Sequence, residues 1–306
     1  MLPIGQGAGV PPLPHRPPPL SGTVFRGSTV VRDGLLTRHQ LQSSAWRRLF
    51  PDVYADADLP VTHALRARAV LNHLVPGAVA AGRTAAVLWG VDLAGPDDDV
   101  ECILPPGSRA RSIAGTRPSR RRLHRDDVVR RQGLLATSGV RTAIDLARTR
   151  PLDAAVIAVD RFLQPGTALL DDVRASASAL AGRDCRHVRD VVGLTDGLAG
   201  SPQETRVRLL LHRSDLPAPV AQYVIRVDGR FVARVDFAWP DLRLALEYDG
   251  AWHGEPGQFA RDRDRLNRLT EAGWVVVFVT AADLHHPAGL LERIRSALAS
   301  RCAIGR

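Results

Sequence analysis

A chain of 306 residues has room for two or three domains, each able to bury its own core. Its longest apolar runs, such as Trp274 to Val279, are too short to cross a bilayer, and Pro11, Pro12, Pro14 and the Pro17-Pro18-Pro19 run interrupt any secretory signal, so no membrane association is expected and the expected address is the cytoplasm. The net charge of +9 and pI of about 10.8 favour a polyanionic partner, while three widely spaced cysteines (Cys102, Cys185, Cys302) support neither a zinc ribbon nor a disulfide framework.

All 41 basic residues are arginines, because the chain contains no lysine. Residues 1–22 are rich in Pro and Gly and read as a disordered or polyproline-like tail. Residues 23–60 form a small basic unit. Leu36 to Leu41 reads as a helix start with Thr37 as N-cap, Trp46-Arg47-Arg48-Leu49-Phe50 as a short basic helix, and Pro51-Asp52-Val53-Tyr54 as a turn into a strand. That order suits a winged helix-turn-helix, with Arg38, Arg47 and Arg48 on DNA phosphates, and equally a small helical cap on the next domain.

Residues 61–178 form a middle α/β region. Helices are predicted over Val61 to Leu74, Val79 to Leu88, Thr142 to Ala147 and Leu152 to Leu163, and a strand over Val100 to Leu104. The stretch Arg109 to Arg131 is strongly basic, and its Arg120-Arg121-Arg122 run reads as a solvated loop or a phosphate-contacting patch. Residues 179–200 read as a linker or connecting helix.

The last domain, 201–306, opens on Ser201-Pro202-Gln203-Glu204, a helix start with Ser as N-cap and Glu at the third position. Strands follow at Val220 to Val227, Arg230 to Trp239 and Leu242 to Tyr248, with an Asp228-Gly229 hairpin turn and a Pro240-Asp241 turn between them. A helix over Phe259 to Ala272, a strand over Trp274 to Thr280 and a helix over Ala288 to Ala299 complete the order α-β-β-β-α-β-α. Strict alternation puts Phe231, Ala233, Val235, Phe237 and Trp239 on one face and Asp236 on the other. A two-residue turn at Pro240-Asp241 then sets Asp236 opposite Ala245 and Glu247 opposite Arg234. The two acids become diagonal neighbours, roughly 7–8 Å apart at the backbone, where they can converge on one hard cation. The plainer alternative pairs Glu247 with Arg234 and leaves Asp236 at the surface.

Val235-Asp236-Phe237, then Leu246 to His253, then Gln258, Asp262 and Arg265, then Gly273-Trp274, Thr280 and Asp283-Leu284 together resemble the domain of unknown function related to very-short-patch-repair endonucleases, within the PD-(D/E)xK nuclease superfamily. Much more loosely, Leu36 to Leu41, Pro51 to Tyr54 and Ala81 to Ala86 resemble the winged-helix and middle domains of AbiEi-like type IV antitoxins. The resemblance implies a restriction-endonuclease-like C-terminal domain and a metal-dependent DNA endonuclease using Mg²⁺ or Mn²⁺. Asp236 and Glu247 would ligate the metal. Glu204 would orient a metal-bound water, cap its helix, or do both. His253 would activate water, bind a phosphate, or be an ordinary surface histidine. Asp262 and Arg265 would lie on the nucleic-acid side. Asp249 stands where the motif lysine is expected, and no other lysine can replace it. Two further readings stay open: a catalytically inactive DNA-binding regulator or antitoxin-like protein, and a component acting with a partner protein in defence or repair.

Overall fold

Three sheets organise the chain in a computed structural model that describes residues 14–111, 113–249 and 258–304, with 258–262 and 304 described by backbone alone. The protein is mixed α/β, and its contacts separate Met1–Thr142 from Ala143–Arg306. Among the described residues no helix is long and apolar enough to cross a membrane.

The first unit begins with a three-stranded antiparallel sheet of β1 (Val24–Arg26), β2 (Trp46–Phe50) and β3 (Val53–Asp56), in the order β1-β3-β2, with helix α1 (Gly27–Arg32) between β1 and β2. Trp46 to Phe50 is therefore a strand and not the basic helix expected. Asp52, at φ 60°, closes a tight turn from β2 into β3, and Phe25 packs edge-on to Trp46 at 5.1 Å. Residues 14–22 of the expected tail are packed: Leu20 is buried in this core and Arg16 pairs with Asp56 and Asp58. Residues 1–13 lie outside the described part. The Thr37 cap is present as a reciprocal pair. Gln40 N–H donates to Thr37 Oγ1 at 3.2 Å and Thr37 N–H to Gln40 Oε1 at 2.7 Å.

After α2 (His63–Ala69) and its π-helical extension Val70–Leu74 come β4 (Val79–Ala80), α3 (Gly82–Leu88), β5 (Val100–Ile103), β6 (Thr116–Ser119), β7 (Val128–Arg131) and β8 (Leu134–Thr137). These strands make a five-stranded sheet in the order β6-β5-β4-β8-β7. Cys102 lies in its core, where burial pushes the thiol up to about 11, the inert form of a structural cysteine.

Helix α4 (Gly139–Leu146) leads into the second unit, which continues with α5 (Leu152–Leu163), α6 (Leu170–Ala179) and α7 (Cys185–Leu194). Then come α8 (Pro202–His212), β9 (Val220–Val227), β10 (Arg230–Trp239), β11 (Leu244–Tyr248), α9 (Gln258–Glu271), β12 (Val275–Val279), the short α10 (Ala281–His285) and α11 (Pro287–Ile304). Apart from α10, this is the expected element order. The sheet runs β12-β11-β10-β9, with β11 and β12 parallel and the other pairs antiparallel. Leu244 and Leu246 of β11 pack with Val207 of α8 and Leu290 and Ile294 of α11, whereas Ala245 packs with Leu269 of α9. Central β11 is thus covered on both faces, so any polar side chain on it must find a partner inside the fold.

Candidate active site

The connection from β10 to β11 decides how the acids meet. It is the four residues Pro240 to Arg243, a 3₁₀ turn ending with Arg243 at φ 45°, rather than a two-residue loop. The register is shifted accordingly: Ala238 faces Ala245, and Phe237 faces Leu246. Beyond that last rung Asp236 comes level with Glu247, so the two acids are direct neighbours and not diagonal ones. The Asp236 carboxylate accepts the Tyr248 N–H at 2.8 Å, where a strand carbonyl would otherwise serve.

Alternation along β10 also breaks at Asp236. Phe237 and Trp239 belong to the core under α8 and α11, but Ala233 and Val235 belong to the core under α9. The five apolar residues therefore do not share one face. A left-handed residue stands opposite this break on the next strand. Gln222 of β9 adopts φ 49°, and its flanking pairs Tyr223–Val235 and Ala221–Phe237 bracket it against Asp236. Such a left-handed residue rotates the strand locally and re-aims side chains. Its own side chain donates to Glu204 Oε2 at 3.0 Å. Gln222, Asp236 and Glu247 thus occupy one line across three strands, with Glu204 of α8 tied to its end.

Glu204 caps the start of its helix. Ser201 Oγ accepts the Glu204 N–H at 3.2 Å, and Glu204 Oε2 accepts the Gly200 N–H at 2.7 Å, so the helix start is capped from both sides. Burial raises its carboxyl above the ordinary range, and the negative charge of Asp236 raises it further. Asp236 is raised as well, first by burial and then by the charge of Glu247, against the opposing Tyr248 N–H and the positive charges of Arg265 and Arg234. Two neighbouring acids are each made worse as anions by their surroundings.

Glu247 is handled differently. It is 8% exposed, and Arg265 of α9 reaches both of its oxygens at 2.6 Å while also donating to the Arg234 carbonyl at 2.7 Å. The plainer alternative, a Glu247–Arg234 pair, is replaced by this one. Asp249 is exposed on the loop after β11, where its N–H donates to Val279 O at 2.7 Å. His253 and the side chain of Asp262 lie outside the described residues. Among the described residues no three His, Cys, Asp or Glu side chains form a ready metal cage. The donor set is one or two carboxylates, which suits Mg²⁺, an ion that keeps most of its waters.

In the first unit Arg47 and Arg48 are exposed on edge strand β2, and Arg38 borders a surface cavity with Arg32, Gln42 and Tyr54. Two contributors escaped sequence reasoning: Gln222 and the Arg265–Glu247 pairing. The separation of eighteen positions from Glu247 to Arg265 hides that last contact from any short-range pattern.

No protein-family model matches the chain. Two proteins of Mycobacterium tuberculosis, the uncharacterized proteins MT2308 (strain CDC 1551) and Rv2248 (strain H37Rv), are each 33% identical over 264 residues, covering 84% of this chain and 94% of the relative. A crystal structure of the Rv2827c protein from the same organism aligns with 67% of this chain and 84% of its own, at 13% identity and a TM-score of 0.39.

Proposed function

We propose, from the premise that this chain belongs to the family of those two mycobacterial proteins, that its second unit is a divalent-metal-dependent DNA endonuclease of the PD-(D/E)xK type. In this reading the first unit holds DNA through a winged-helix-like, arginine-bearing surface. The observation that carries the reading is the Glu204–Asp236 pair, two neighbouring acids both raised by burial and by each other's or Glu247's charge.

Asp236 would hold the cation, with Glu204 or Glu247 reaching it directly or through water. Bound Mg²⁺ or Mn²⁺ would polarise the scissile phosphate and lower the pKa of the attacking water. Arg265 holds Glu247 in place through both of its oxygens, and a guanidinium is a poor proton acceptor. The role left open by the missing lysine falls to Glu204, whose raised carboxyl is a better proton acceptor than an ordinary one, or to His253. Arg234 adds positive charge beside the acids, where a phosphate would approach.

One observation favours a second reading, a DNA-binding regulator without catalysis: the bidentate Arg265 contact already neutralises Glu247. Supercoiled plasmid incubated with the protein and Mg²⁺ or Mn²⁺ separates the two. Nicking that disappears with Asp236→Ala supports the nuclease. Nicking that survives Asp236→Ala places the activity elsewhere, and metal-independent DNA binding without nicking supports the regulator.

A further inference from the structure

The Arg120-Arg121-Arg122 run takes no part in the acidic site, yet the fold builds a cavity around it. Strand β6 lies at one edge of the five-stranded sheet and β7 at the other. The chain leaving Ser119 must therefore cross β5, β4 and β8 before it reaches Val128, and residues 120–127 form a strap over the sheet. A cavity of about 720 Å³ remains between strap and sheet. That volume is within the usual range for small-molecule sites.

Its walls divide by chemistry. Pro105, Leu123 and Val128 supply an apolar floor over the buried Ile103 and Leu104. The rim carries Arg120, Arg121, Arg122 and His124, and among the described residues none of the fourteen that line the cavity is acidic. The rim is held in place. Arg120 Nη2 donates to Ala110 O at 3.1 Å, which ties the strap to the loop after β5. That loop turns tightly at Pro105 to Ser108, where Ser108 N–H donates to Pro105 O at 3.1 Å and Gly107 sits at φ 75°. Within the strap, the His124 N–H donates to Asp127 Oδ2 at 3.0 Å and caps the short turn that follows.

We infer that this cavity is a binding site for a nucleoside monophosphate unit, its phosphate on Arg120 and Arg122 and its base and sugar on the apolar floor of Pro105, Leu123 and Val128. A planar guanidinium is matched to phosphate oxygens in a two-pronged geometry. An apolar floor without acids rejects cations and leaves a bare inorganic anion poorly used. The unit has two sources, a free nucleotide or the end of a DNA strand, and both present this chemistry. The site lies within the first unit and needs no metal.

Calorimetry on the full chain in EDTA tests it with dAMP, deoxyadenosine, inorganic phosphate and a 5′-phosphorylated single-stranded oligonucleotide. The expected result is saturable binding of dAMP or the oligonucleotide, at least tenfold tighter than deoxyadenosine or phosphate. The Arg120→Ala/Arg122→Ala variant should lose at least tenfold at an unchanged melting temperature. The tighter of dAMP and the oligonucleotide identifies the source. No binding of either, phosphate binding as tightly as dAMP, or an unaltered affinity in the folded double variant overturns the proposal. If that variant does not fold, photo-crosslinking of 8-azido-dAMP to the wild type decides. Labelling within 103–108 or 120–124 supports the site, and labelling confined to other peptides overturns it.

Discussion

Arg265 donates to both carboxylate oxygens of Glu247 at 2.6 Å and makes this acid half of an ion pair. Glu247 is nearly buried on a strand covered from both faces, where an unpaired charge would be costly. Arg265→Ala should therefore destabilise the second unit by about 2–3 kcal/mol, below the ~3–5 kcal/mol of a fully buried pair because Arg265 keeps part of its solvent. Adding Glu247→Gln to Arg265→Ala should recover much of the loss, since it removes the stranded charge. Urea denaturation of the two single variants and the double variant measures this. Equal additive losses would mean that the pair is not coupled.

Metal and pH should act on Asp236 and Glu204 in opposite senses. Both carboxyls are raised in the folded protein, so their favourable contribution is complete below the unfolded carboxylate value and is lost as pH rises through the raised folded values. Other acids run the other way. Arg213 holds Asp153 below its ordinary range, so the useful quantity is the difference between wild type and Asp236→Asn. The melting temperature of Asp236→Asn should gain on the wild type as pH climbs from about 4 to 7 in EDTA. Mg²⁺ at a hundredfold excess over its Kd should raise the wild type by about 2.7 kcal/mol, roughly 5–10 °C for a unit of this size, and leave Asp236→Ala unmoved. An identical shift in both proteins would remove Asp236 from the metal site.

Asp160 positions Glu204 without touching it. Fully buried on α5, it pairs with Arg208 and accepts Thr205 Oγ1 at 2.9 Å, Asp196 N–H at 3.1 Å and Gly197 N–H at 3.0 Å. Thr205 is the residue after Glu204, so this network fixes the start of α8. Asp160→Ala should cost about 3–5 kcal/mol by leaving these donors unpaired. The more conservative Asp160→Asn should fold and show a smaller Mg²⁺-induced rise in melting temperature than the wild type. An undiminished rise in folded Asp160→Asn would separate the α8 network from the site.

How far this was legible in the sequence depends on the range of the contacts. The Ser201 cap, the Thr37 cap and the order of elements after Ser201 are set by neighbours a few residues apart, and all are present. Trp46 to Phe50 was misread because five residues with apolar ends fit a helical turn as well as a strand. The hairpin through Asp52 and the packing of Trp46 on Phe25 settle it. The level of Asp236 and Glu247 was off by one rung pair because the turn takes four residues and not two, and a left-handed Arg243 is not a residue choice that announces such a turn. Strands β6, β7 and β8, with basic or interrupted patterns, went unread because sheet pairing to distant partners holds them.

The face change at Asp236 rests on the backbone of Gln222, and this can be tested apart from any activity. In a regular strand Ala is more stable than Gly by roughly 0.5–1 kcal/mol. At φ 49° the order should reverse, because a Cβ in the left-handed region costs about 1–2 kcal/mol and glycine has none. Both substitutions remove the same hydrogen bond to Glu204, so that loss cancels when they are compared. Gln222→Gly should therefore be more stable than Gln222→Ala by about 1 kcal/mol in urea melts. A more stable alanine variant would mean that β9 runs straight past this position, that Val235 and Phe237 share a face, and that Asp236 is aimed away from Glu204.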